Sequence, residues 1–232
     1  MSTLLLRLAS PMQSWGLDSK FERRGTMREP TKSGVIGMLA AAMGRRRDEA
    51  IDDLAALRFG VRLDQPGQLL RDFHTAKVNI DKPPYVTERY YLTDAVFVVG
   101  LEGDYELLQD LERAIANPAF PLFLGRRSCP PTGRLVLGIR DRSMDDALRE
   151  EPWQASAWFQ DRAPESFVIM VIKDSKVSLA IRRRDLPLSY SPMHRKFAFR
   201  YTEEEMLCSY DIASKKQTAN STEHDPFTEV EG

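Results

Sequence analysis

The apolar positions fall into short runs separated by proline, glycine and charge. Thr3 to Ala9 is apolar and closes at Ser10-Pro11, which predicts a first strand. Met12 to Glu29 is polar and lacks a period. After it, Val35, Ile36, Leu39 and Met43 recur at helical spacing, with Thr31 or Ser33 placed to cap the helix. Gly34 and Gly37 each cost that helix about 1 kcal/mol, so another backbone or a ligand is expected to approach its first turn closely. Asp48 to Leu57 reads as a second, shorter helix with acids in its first turn. Phe59 to Leu63 is a strand and Gln65-Pro66-Gly67 a turn. Leu69 to Lys77 and Val86 to Leu92 form the arms of a long hairpin, joined by a loop that Pro83-Pro84 stiffens. Ala95 to Leu101 is a strongly apolar strand. Tyr105 to Ala116 is an amphipathic helix that buries Leu107, Leu108, Leu111 and Ile115, and Arg134 to Ile139 is a further strand.

The core order is therefore β-α-β-β-α-β, and the expected fold is α+β of the ferredoxin-like (RRM-like) or split βαβ kind, over residues 1–150. The pattern changes after Glu151. Phe167 to Ile172 and Val177 to Arg183 read as a hairpin around Asp174-Ser175, and Lys196 to Tyr201 as another strand. A smaller β-rich lobe is expected over 151–213. Residues 214–232 are polar and acidic and are expected to form a flexible tail.

Composition narrows the classes. Of 232 residues, 42% are apolar and 29% charged, which supports a packed interior. No run approaches the roughly 20 apolar residues of a membrane helix, and Arg7 interrupts the leucines that could suggest a signal peptide. Cys129 and Cys208 offer neither a disulfide framework nor metal spacing, which fits reduced thiols in a cytoplasmic protein. Net charge is −1, but it is segregated. From Met1 to Arg47 nine basic residues face only Asp18, Glu22 and Glu29, while Glu203 to Glu205 and Glu223, Asp225, Glu229 and Glu231 crowd the other end. One basic face can thus hold phosphate while total charge stays near zero.

Pro30-Thr31-Lys32-Ser33-Gly34 invites comparison with a P-loop and fails it, because Thr31 stands where glycine should precede the lysine. A helix N-terminus with Lys32 and Ser33 could still seat a phosphate, although an ordinary capped helix explains the same residues. Before it, Gln13, Trp15, Lys20, Phe21, Arg23, Arg24 and Arg28 interleave amide, aromatic and basic side chains, the combination that holds single-stranded RNA. The alternative is a buried Trp15 and Phe21 beneath surface arginines. In Arg71-Asp72-Phe73-His74-Thr75, a strand would turn Arg71 and Phe73 one way and Asp72 and His74 the other. Arg71, Phe73 and His74 join the candidate RNA contacts. A metal-independent ribonuclease would need His74 paired with a second acid or base, and the spacing does not demand one. No metal or cofactor set is apparent. Leu124 to Gly133 is a loop before the last core strand, from which Arg126 and Arg127 could clamp phosphate.

Four segments together carry a resemblance: LLLRLASPMQSWG from Leu4, PTKSGVIGMLAAAMG from Pro30, RDFHT from Arg71 and LGRRSCPPT from Leu124. In these the chain resembles the CasD family, the small RAMP subunit of type I-E CRISPR Cascade, over about two thirds of its length. The resemblance implies a ferredoxin-like RAMP core with a long β-hairpin thumb at about 71–93. It implies a non-catalytic subunit that caps the 5′ handle of the crRNA in antiviral defence, without a cofactor. The implied partners are the crRNA, the repeating backbone RAMP subunit and the large PAM-recognising subunit, with target DNA met indirectly. Val78, Ile80 and Tyr85 of the thumb would meet a neighbouring subunit. A related branch, in type I-C systems, cuts precursor crRNA and supplies the alternative, a processing endoribonuclease. A protein–protein scaffold is the third reading.

Overall fold

The computed structural model describes residues 1–16, 22–77, 83–164, 166–177 and 180–208. Its elements are β1 (Ser2–Ala9), β2 (Met12–Gln13), β3 (Arg23–Arg24), α1 (Lys32–Ala42), α2 (Asp52–Ala55), β4 (Arg58–Gln65), β5 (Gln68–Ala76) and β6 (Tyr85–Thr93). They continue as β7 (Val96–Gly103), α3 (Tyr105–Ala116), β8 (Val136–Arg140), α4 (Met144–Glu150), α5 (Ala157–Gln160), β9 (Val168–Asp174), β10 (Ile181–Ser189) and β11 (Lys196–Cys208). Seven strands form one antiparallel sheet in the order β10-β11-β9-β4-β7-β1-β8.

β1 and β7 are apolar on both faces because both faces are covered. Leu4, Leu6 and Leu8 pack with Val35, Ile36 and Leu39 of α1 and Leu108 and Leu111 of α3. Leu5 and Val98 point the other way, onto Met144, Ala147 and Leu148 of α4. Thr31 caps α1, accepting from Gly34 N at 3.2 Å. The close approach expected at that turn is made by a side chain of the protein itself. A Cβ on Gly34 would lie 2.8 Å from the Trp15 ring.

β5 and β6 form the expected hairpin, in register from Gln68↔Thr93 to Ala76↔Tyr85. The other edge of β6 carries β2, antiparallel, and β3, parallel. Of the candidate contacts, this second sheet holds Gln13, Arg23, Arg24, Arg71, Phe73 and His74.

Three expectations are corrected. The helix predicted over Asp48 to Leu57 is a single turn, α2, because Glu49 instead accepts from Arg46 N in a local turn and Ile51 offers no capping side chain. The hairpin expected between Phe167 to Ile172 and Val177 to Arg183 does not form. β11 lies between β9 and β10 and pairs with both, and its 13 residues are long enough to serve each in turn. A one-turn helix, α5, also appears within the lobe expected to be β-rich. Strands β9 to β11 extend the main sheet outward from β4.

Buried charge fastens that extension. Arg200 holds Asp185 at 2.6 and 2.9 Å and Asp174 at 2.7 Å, while Lys32 Nζ reaches Asp174 at 3.1 Å and Leu57 O at 2.7 Å. Burial pulls the Lys32 ammonium below its ordinary value, against the pull of Asp174. On the opposite face, Asp145 of α4 meets Lys173 at 2.7 Å, and Glu205 accepts from Lys173 at 2.7 Å and Arg149 at 2.9 Å. Burial alone would raise both carboxylates, but hydrogen bonds from Lys173 and from Arg58 or Arg149 outweigh it and hold them low. The native state therefore binds fewer acid protons than the unfolded chain. The stability these pairs supply is whole above pH 4.5 and is lost as the pH falls through the lowered values. Urea midpoints measured from about pH 6 to pH 3 are expected to fall less steeply for Glu205→Gln than for the native chain. Parallel curves would contradict this.

Candidate nucleic-acid interface

Alternation along the β5–β6 hairpin sorts its side chains into two sets. Register places Arg71 opposite Tyr90 and Phe73 opposite Glu88 on one face, with Asp72 opposite Arg89 and His74 opposite Thr87 on the other. β3 runs alongside, pairing Arg23 with Glu88 and Arg24 with Arg89.

On the first face Arg71 stacks on Phe73, 4.6 Å from the ring centroid, and pairs with Glu88. Arg23 donates to Tyr90 Oη at 3.0 Å and lies 5.5 Å from that ring's centroid. The Tyr90 hydrogen bond and the nearby Glu88 hold the Arg23 guanidinium above its ordinary value. The Arg71 hydrogen bond keeps Glu88 low despite burial. One carboxylate thus sits between two guanidiniums, leaving an excess positive charge beside the exposed Phe73 ring.

On the second face Tyr91 is buried and covered by Arg126, whose guanidinium lies 4.6 Å from the ring centroid. Arg126 Nη2 donates to Arg24 O at 2.7 Å and to Gly25 O at 3.4 Å. Among the described residues its Nη1 is buried with no acceptor, and so is Nε of Arg89, which stands on the same face of β6 two residues before Tyr91. An unpaired buried N–H costs about 1–3 kcal/mol, more on a charged group. Both guanidiniums belong to the Tyr91 side of β6, and both carry a buried N–H that an added acceptor could satisfy.

The loop reaches this place through Gly125. Its φ is +84°, and a Cβ there would fall 1.7 Å from Ser14 O, so only glycine permits the crossing. Ser14 N donates to Leu124 O and Leu124 N to Cys129 O, which fixes the loop's two ends. Arg127 is exposed on the same loop, and Arg28 is exposed at the end of the β3 segment.

Four contacts expected from residue type are corrected by burial. Gln13 is sealed, donating to Leu8 O and Ala95 O and accepting from Trp15 Nε1 at 3.1 Å. Trp15 is 1% exposed against α1 and cannot stack on a base. Lys32 is spent on Asp174 and Leu57 O, and Lys32 N donates to Asp185 at 2.8 Å. A carboxylate of the protein thus occupies the seat imagined for a phosphate. Ser33 is buried beneath Tyr190, whose hydroxyl bonds its carbonyl. Lys20, Phe21, Val78 and Ile80 lie outside the described residues. Tyr85 is exposed at the start of β6.

His74 Nε2 sits 2.8 Å from Asp72 Oδ2, with both side chains nearly half exposed. Arg89, Tyr90 and Tyr91 do not stand out as contacts in the sequence. Their signal is alternation within Val86 to Leu92, which becomes a face only once β3 and the Arg126 loop lie against it.

The fold and site define a mixed α/β protein with a large antiparallel sheet and an arginine–aromatic hairpin suited to an anionic partner. The chain belongs to the CRISPR-associated protein (Cas_Cas5) family, whose sequence profile matches residues 3–203. It is similar to the CRISPR system Cascade subunit CasD of Escherichia coli (strain K12), at 38% identity over 159 residues, 59% of this chain and 70% of the relative. A solved crystal structure of a Cas protein is 40% identical with a TM-score of 0.73, covering 90% of this chain and 97% of its own. A chain of a CRISPR RNA-guided surveillance complex is 34% identical with a TM-score of 0.76, covering 89% and 90%.

Proposed function

We propose that this chain is the crRNA-binding subunit of a type I-E Cascade surveillance complex, holding the 5′ handle of the guide and performing no chemistry on it. The observation that carries the reading is the pair of unpaired guanidinium N–H groups of Arg89 and Arg126 around Tyr91. Single-stranded RNA supplies what such a seat lacks, a phosphate for the cations and flat bases for exposed rings. The similarity to a Cascade subunit and to a surveillance-complex chain points the same way.

In this reading β1, α1, β4, β7, α3 and β8 form a ferredoxin-like core, supported by the β8-β1-β7-β4 strand order. The β5–β6 hairpin is the thumb. Its tip, through Tyr85 and the neighbouring Val78 and Ile80, meets the adjacent backbone subunit. The large PAM-recognising subunit lies beyond the handle, and target DNA is met only through the assembled guide. The complex works in the cytoplasm.

One observation favours a second reading. The His74–Asp72 contact has the form of a base oriented by a carboxylate, as a processing endoribonuclease would use. Incubating the purified chain in EDTA with labelled repeat RNA and with mature crRNA separates the two. Retention of the handle-bearing RNA without cleavage, unchanged in His74→Ala, is expected. Cleavage at one repeat position, lost in His74→Ala, would replace the capping role with an endoribonuclease.

A further inference from the structure

Among the described residues, β10 is the edge strand at the far end of the main sheet, paired on one side by β11. Along β11, Arg200 and Thr202 are buried toward α1, so Phe199 and Tyr201 face the opposite side, where they are 52% and 40% exposed. They stand two residues apart on one strand, about 7 Å from each other along it. Register sets Arg182 directly across from Tyr201, and its guanidinium lies 4.2 Å from the Phe199 ring centroid. Arg184, two residues on, is exposed as well. Arg183, between them, turns inward to Glu29 and Glu204. Among the described residues, Arg182 and Arg184 have no carboxylate partner. The nearest acids on this face, Glu203 and Glu205, are engaged by Lys173, and Glu205 also by Arg149.

We infer that the outer face of β10 and β11, built on Phe199, Tyr201, Arg182 and Arg184, is a second binding surface for single-stranded nucleic acid. Two exposed rings on alternate positions of a strand offer flat platforms to two unstacked bases, as in RNA-binding sheets. Arg182 and Arg184 on the neighbouring strand supply charge for the backbone that joins those bases. A protein partner would have to cover Arg182 and Arg184 with acids and would gain little from spaced rings. Within the main sheet, β9 separates β11 from β4, the strand that leads into the hairpin.

The test uses the full chain carrying Arg23→Ala, Arg71→Ala and Arg126→Ala, which removes hairpin-side arginines. Fluorescein-labelled U8 RNA and dT8 DNA are titrated and followed by anisotropy. Removing a stacking ring is expected to weaken binding at least about fivefold, so Phe199→Ala with Tyr201→Ala should lose more than about twentyfold. Phe199→Tyr with Tyr201→Phe should bind as before, and circular dichroism confirms that each variant is folded. Equal losses with RNA and DNA would mean that phosphate and ring stacking suffice. A loss with one alone would identify that strand as the occupant. Unchanged affinity for both, in folded variants, would overturn the inference and leave the face to a protein.

Discussion

Arg62→Met is expected to lower the unfolding free energy by about 3–5 kcal/mol, the range seen when one partner of a buried ion pair is removed. Arg62 and Asp64 are both fully buried, bonded through Nε at 2.6 Å and Nη2 at 2.8 Å. The same guanidinium donates to the carbonyls of Leu148, Glu151 and Pro152, where α4 ends and the chain turns toward α5. Asp64 in turn accepts from Gln154 N at 2.6 Å, and its carbonyl accepts from Trp153 Nε1 at 2.9 Å. The pair thus fastens β4 to the connection after α4. Methionine fills the volume but takes the Arg62 donors from the Leu148 and Glu151 carbonyls, and leaves the buried Asp64 carboxylate with Gln154 N and no cation. Removing Asp64 as well, by Asp64→Leu, takes away the stranded charge and should restore part of the loss. Restoration stays partial because Gln154 N and the Leu148 and Glu151 carbonyls lose those partners, at about 1 kcal/mol or more each. Urea unfolding reads both variants. A single variant within about 1 kcal/mol of the native chain would contradict the assignment.

The second large effect concerns RNA. Arg89→Ala and Arg126→Ala, each alone, are expected to weaken binding of handle RNA about ten- to a hundredfold, as loss of a charge-assisted hydrogen bond does. Each should lower the slope of log affinity against log salt by about 0.7, the value for one phosphate contact on a single strand. Arg126→Lys keeps the charge but loses the planar fork over Tyr91 and the bonds to Arg24 O and Gly25 O, so an intermediate affinity is expected. Arg113→Ala, on the exposed face of α3 and paired with Asp110, should bind like the native chain. Anisotropy titrations at several salt concentrations carry the comparison. An affinity loss with no change of slope would mean that the arginines act through packing and not on phosphate.

Much of the architecture was legible because local patterns agree with it. The apolar run of β1, the cap at Thr31, the amphipathic α3 and the alternating arms of β5 and β6 all appear where spacing placed them. The pairing of β9, β10 and β11 was not legible. Strand neighbours are chosen by tertiary register, and the nearest strand in sequence lost to β11. The same physics divides the candidate contacts. Arg23, Arg71, Phe73 and Arg126 remain candidates because the fold keeps them on the hairpin sheet and its loop. Trp15, Gln13, Lys32 and Ser33 have the right chemistry for RNA, but the fold spends that chemistry internally. Composition does not distinguish a lysine aimed at solvent from one aimed at Asp174.

The central claim is that guide RNA lies against the sheet of β3, β5 and β6 and the Arg126 loop. Amide hydrogen exchange of the full chain, with and without handle-bearing crRNA, tests it most directly. Protection is expected over Glu22 to Arg28, Gln68 to Lys77, Tyr85 to Thr93 and Leu124 to Pro130, with α3 unchanged. RNA binding that leaves those four segments exchanging as in the free chain would contradict the account.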